Sequence, residues 1–128
     1  MVKWSEVQKI IREKYLDGVD MGDCSHFMFP YENEETEDIK FITVFKDQDE
    51  GGGILVCCTA PIGKLRSRDL PNVLGDLNEM TEGRIVNDGG DYSFEYSLNL
   101  EHITEEALED AVQFVAESAV EFSRKYAG

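Results

Sequence analysis

The sequence predicts an α+β domain, an antiparallel sheet packed by helices, and three observations carry that expectation. From Tyr92 to Leu100 every second residue is apolar (Tyr92, Phe94, Tyr96, Leu98, Leu100), with Ser93, Glu95, Ser97 and Asn99 between them. That is the period of a strand with one buried and one wet face. Leu108, Val112, Val115, Ala119, Phe122 and Tyr126 then recur at alternating spacings of four and three, a helix with one apolar seam. A strand followed closely by such a helix predicts a helix lying on a sheet. Earlier in the chain, three apolar runs follow one another at hairpin spacing.

Taken in order, residues 3–16 read as a first helix. Trp4, Val7, Ile10 and Ile11 form its stripe, Tyr15 lies one turn beyond, and Asp17-Gly18 ends it. Cys24–Tyr31 is the first strand, with Phe27, Phe29 and Tyr31 on one face and Pro30 marking an edge or an end. The acidic run Glu32–Asp38 is a solvated loop. Ile39–Lys46 is the second strand, with Phe41 and Phe45 on one face and Ile42 and Val44 on the other. The Asp47–Gly53 stretch makes a flexible connection to Ile54–Ala60, which is apolar almost throughout. That pattern predicts a central strand covered on both faces and terminated by Pro61 and Gly63.

A polar connection through Lys64, Arg66 and Arg68 leads to a second helix over Asp69–Glu82. Asp69 is placed to cap it and Pro71 fits its first turn. Gly75 inside this helix costs ~1 kcal/mol relative to alanine, which predicts a close backbone approach, and Gly83 closes the helix. Arg84–Asn87 is a short strand, and Asp88-Gly89-Gly90-Asp91 is a hairpin turn into the Tyr92 strand. The last helix starts at Thr104, with Ile103 and Leu108 as a hydrophobic staple. Glu105 and Glu106 lie at its positive end and Arg124 and Lys125 at its negative end. The order is α-β-β-β-α-β-β-α, in one domain spanning residues 1–128.

Composition narrows the function. With 27 acidic against 12 basic side chains the formal charge is −15, which argues against nucleic acid as a partner and against an anionic membrane surface. The start has no apolar run of signal-peptide length, and no stretch approaches the ~18 apolar residues of a spanning helix. Cys24, Cys57 and Cys58 are too few for a disulfide framework, so the expectation is a cytoplasmic protein.

The stretch LPNVLGDLNEMTEGRIVNDGGDYSFEYSLNL, followed by ITEEALEDAVQFVAESA, is similar to the YbjN-type family within the type III secretion chaperone-like fold. The similarity lies in the leucines and asparagine of LGDLNEM, the short strand, the turn, the alternating strand and the acidic helix start. It covers residues 70–120 best, while the first half agrees only in element order. The resemblance implies a homodimer with a convex sheet and no enzyme activity. The type III chaperones bind an extended segment of a partner, and the YbjN-type proteins are described as regulators of sensory transduction.

Chemistry-bearing motifs are sparse. Cys57 and Cys58 are adjacent on a strand, so they point to opposite faces and cannot ligate one ion together. They read as buried small hydrophobes. Gly51-Gly52-Gly53 precedes a strand, not a helix carrying the lysine of a phosphate loop, so it reads as a hairpin loop. No cofactor or metal is expected. The rival to a binding module is a small acid–base or metal-dependent enzyme using Glu95, His26 or His102. A purely structural dimer is a third possibility.

Apolar residues in excess of what a core uses point to a surface for a protein partner. Helix two carries Leu70, Val73, Leu74 and Leu77, and the last helix carries Phe114 and Val120 off its seam. The expectation is a homodimeric, non-enzymatic adaptor or regulator that binds protein segments, with these six residues at the dimer or partner surface. Strand addition at an edge near Cys24–Tyr31 is a further means of capture.

Overall fold

The computed structural model describes residues 3–16, 26–33 and 37–127. Eight regular elements follow in the order α1 (Trp4–Tyr15), β1 (His26–Glu32), β2 (Ile39–Gln48), β3 (Ile54–Lys64), α2 (Leu70–Asn78), β4 (Arg84–Asp88), β5 (Asp91–Asn99) and α3 (Glu105–Tyr126). Two short 3-10 turns, Ser67–Asp69 and Leu100–His102, lead into α2 and α3; the sequence pattern did not foreshadow either. The five strands form one antiparallel sheet in the order β1-β2-β3-β5-β4. The protein is therefore α+β, with three helices and one antiparallel sheet.

The helices build their core against one face of the sheet. Val7 and Ile11 of α1 are buried in a single cluster with Phe27 and Phe29 of β1 and Ile42 and Val44 of β2. Tyr15 stacks on Phe29 at 4.3 Å between ring centroids, and Trp4 lies against Phe27. The α3 seam is buried as its spacing requires: Leu108, Val112, Val115, Ala119, Phe122 and Tyr126 all join the same cluster with Val56, Cys58 and Ala60 of β3 and Phe94 of β5. The Thr104 hydroxyl accepts a hydrogen bond from the Ala107 amide at 3.0 Å, and Ile103 and Leu108 are both buried beside that cap.

Polar groups fix both ends of α3. Lys14 at the end of α1 pairs with Glu105, at 3.3 Å, and with Glu109. At the other end Lys40 donates to the Pro61 carbonyl at 2.8 Å and to the Ser123 hydroxyl at 2.9 Å, and Ser123 donates to the Ile62 carbonyl at 2.6 Å. Burial pulls the Lys40 ammonium below its ordinary pKa, against the opposing effect of Asp38. Arg124 reaches Asp38, and Lys125 and Tyr126 both donate to Asp76 of α2.

Several local expectations are corrected. β3 does not stop at Pro61; it runs on to Lys64 with a register shift between Pro61 and Gly63. The extra residue there, Ile62, is 4% exposed in the core, and Gly63 takes φ +116° to carry the bend. Helix α2 ends at Asn78 because its last amides bond back only three residues, Glu79 to Asp76 and Met80 to Leu77. Asp69 caps no helix amide; its carboxylate accepts from Arg66 Nε at 3.0 Å. Gly75 is exposed with open space where a Cβ would stand, so no close approach explains it. The predicted helix stop at Asp17-Gly18, Cys24 at the start of the first strand, and the Glu34–Thr36 part of the acidic loop lie outside the described residues.

The glycine that packing demands is Gly83. It sits at φ +92°, and a Cβ there would come within 2.3 Å of the buried Phe94 ring. Gly83→Ala should therefore lose about 2–4 kcal/mol in urea denaturation, combining backbone strain with overpacking. Gly75→Ala should instead gain up to ~1 kcal/mol through helix propensity alone.

Candidate functional site

With all three helices contributing to one core, the opposite face of the sheet holds the unexplained residues. Side chains alternate along each strand. Since Phe27, Phe29, Ile42 and Val44 face the helices, His26, Met28 and Pro30 of β1 and Ile39, Phe41, Thr43 and Phe45 of β2 face outward. Strand register then lines up rows across the sheet. One row runs Met28, Thr43, Thr59, Glu95 and Arg84 across all five strands. The next runs His26, Phe45, Cys57 and Ser97.

The two ends of this outer face differ in chemistry. Over β1 and β2 it is apolar and solvent-facing: Met28 is 65% exposed, Ile39 58% and Phe41 57%. Pro30 is registered opposite Phe41, and Glu32 stands opposite Ile39, so these residues form one contiguous apolar patch with a carboxylate at its margin. Over β5 and β4 the face is polar and closed. Glu95 is 5% exposed and ion-paired to Arg84, which stands in solvent beside it. The expected wet face of β5 is therefore not wet at Glu95.

Between the ends lies Cys57, fully buried and within 3.2 Å of the Ser97 hydroxyl. Burial raises the Cys57 thiol pKa, with the Ser97 hydrogen bond acting the other way. Cys58 points into the core on the helix side, where burial first, then Cys57 and Glu95, push its thiol up to about 12. Both are neutral thiols at pH 7 and weak nucleophiles. No second layer covers this strand's outer face among the described residues; its neighbours' side chains shield Cys57 instead.

The residues of the enzyme alternative are not brought together. His26 stacks on Phe45 at 5.7 Å on edge strand β1. Glu95 lies three strand spacings away, about 14 Å, far beyond the reach of a shared proton. His102 lies in the 3-10 turn past the end of β5. Among the described residues no group of three or more His, Cys, Asp or Glu is placed to hold a metal ion.

The six residues expected at a partner surface divide. Val73 is 2% exposed and part of the core. Leu77 packs against that core, and the Phe114 ring lies edge-on to Phe94 and Tyr96, each at 5.5 Å. Leu70 and Val120 are half-buried, and Leu74 alone projects, at 58% exposed. The apolar surplus read on the helices is thus largely spent inside the molecule, and the larger exposed patch is on β1 and β2. Its signal was present in the sequence, because Phe41 and Phe45 alternate with Ile42 and Val44, making β2 apolar on both faces.

The chain matches no family model and no curated protein. No helix among the described residues is long and apolar enough to cross a membrane.

The thiols supply a direct check of this geometry. In a Cys24→Ser background, Cys57 and Cys58 should not react with a disulfide reagent at pH 8 until urea unfolds the chain, when two equivalents should appear. The unfolded thiols ionise near 9.0 and the folded Cys58 near 12. The folded state thus holds a proton that the unfolded chain releases. Its contribution is complete below pH 9 and lost as pH climbs toward 12, so stability should fall over that window, and less steeply in Cys58→Ala.

Proposed function

We propose that the protein is a non-enzymatic protein-binding module, a chaperone-like adaptor or regulator that works as a homodimer in the cytoplasm and holds segments of other proteins. The observation that carries this reading is the apolar patch of Met28, Ile39 and Phe41 on the sheet face that no described residue covers. In a chain of net charge −15, a patch dominated by apolar side chains is where two copies approach with least repulsion, and a two-fold axis makes one patch its own complement. Fully burying such a side chain is worth ~1.5–3 kcal/mol. Each is already about two-fifths covered, so pairing recovers about 1–2 kcal/mol per side chain, six times over in a dimer.

Element order supports the finer assignment to the type III secretion chaperone-like fold: a helix, three meandering strands, a helix, a hairpin and a final helix. The scatter of His26 and Glu95 over separate strands, with His102 in the turn beyond β5, favours binding over acid–base chemistry.

Light scattering tests the pairing. The wild type should have twice the 14.5 kDa chain mass, and Phe41→Asp should halve it with circular dichroism unchanged, since Phe41 contributes nothing to the core. Leu74→Glu, on the exposed side of α2, should leave the dimer intact. A wild-type monomer, or a dimer split by Leu74→Glu and not by Phe41→Asp, would contradict the assignment of the outer face.

A further inference from the structure

The sheet has a second unfinished feature, at the end where β4 stops short. β4 pairs with β5 only from Asp91 to Glu95, whereas β5 continues to Asn99 and pairs there with β3 alone. Among the described residues no strand lies beside Tyr96–Asn99 on the β4 side. The backbone groups of alternate residues along this four-residue stretch, about 13 Å long, therefore face outward as a sheet edge.

The same stretch forms one wall of a groove. Tyr96 and Leu98 project toward α3, and Phe114, Ala111 and Ala107 of that helix form the opposite wall around a volume of about 350 Å³. Phe114 is fixed by its edge-on contacts with Phe94 and Tyr96, so the wall is rigid. The charged residues lining the groove are Glu82 and Asp110, both exposed and both acidic. Burial first, and then the charge of Glu82, raise the Tyr96 phenol above its ordinary pKa.

From the free edge, the apolar trough and the acidic rim, we infer that this groove takes an extended segment of a partner protein in which apolar residues at alternate positions are flanked by lysine or arginine. The segment adds as a strand beside the free edge of β5 toward Asn99. Its alternate apolar side chains enter the groove, and the basic residues that flank them meet Glu82 and Asp110 at the rim. This inference rests on the proposed binding function and locates the segment site on the helix side of the sheet, leaving the outer face free for pairing of two copies. The charge of the chain selects the same class of guest: with −15 overall, an acidic segment is repelled before it docks.

Three labelled twelve-residue peptides test it by fluorescence anisotropy at low salt. The valine–lysine peptide carries valines at alternate positions flanked by lysines, the valine–glutamate peptide has glutamates in place of those lysines, and the serine–lysine peptide has serines in place of the valines. The valine–lysine peptide should bind saturably, and its partners should not. Glu82→Gln with Asp110→Asn should weaken binding about tenfold, as two exposed ion pairs are lost. Leu98→Asp should abolish it, and bound peptide should slow hydrogen exchange within residues 96–99.

Equal binding of the serine–lysine peptide would reduce the effect to bulk charge and overturn the groove. So would protection confined to other residues, or affinity unmoved by the Glu82/Asp110 double variant, whose exposed positions leave folding intact even if Leu98→Asp misfolds. Molar mass is read on the same samples. A dimer that ignores the valine–lysine peptide overturns the groove alone, while a monomer that binds it overturns the pairing alone.

Discussion

One-sided burial governs this molecule. α1 and α3 close a common core against the same face of a five-stranded antiparallel sheet, and among the described residues no second layer covers the other face. Period-two patterning in β1 and period-3.5 patterning in α3 are both satisfied by that single interface. Everything on the opposite face then has to be stabilised by its neighbours or left in solvent. β5 and β4 take the first course, through the Glu95–Arg84 pair and the Cys57–Ser97 contact. β1 and β2 take the second, leaving Met28, Ile39 and Phe41 exposed.

The polar anchors of α3 make that asymmetry rigid. Each surface ion pair contributes little in isolation, yet the pairs here fall at the two ends of one helix. Lys14 holds the first turns through Glu105 and Glu109, while Lys40 and Ser123 hold the last against the β3 irregularity. Hydrogen bonds from Lys125 and Tyr126 keep the Asp76 carboxyl below the usual carboxylate range and tie α2 to the same end. The groove beside Tyr96 and Phe114 follows from this placement: α3 extends over β5 beyond the point where β4 has ended.

How much of this the sequence discloses depends on range. The element order, the α3 seam, the Thr104 cap and the hairpin at Gly89-Gly90 are local patterns, and each is read directly; both glycines take positive φ as that turn requires. The course of β3 through Pro61 was not legible, because a strand ends at a proline unless a bulge and a partner strand absorb it. Gly83 was read as a helix stop, while its tightest constraint is the distant Phe94 ring. Phe114 and Val73 looked like surplus because burial by residues remote in sequence leaves no periodic trace. The outer patch was visible as the double apolar face of β2, but only the one-sided stacking of helices shows which half is left bare.

The most direct measurement is a concentration series of methionine-methyl NMR spectra. Met28 lies on the outer face and Met80 lies on the helix side, between α2 and α3. If the uncovered face joins two copies, the Met28 methyl resonance should shift or broaden as concentration rises through the dimer range, with Met80 unmoved. A shift at Met80 with Met28 constant, or no concentration dependence at either, would contradict the outer face as the surface through which this protein associates.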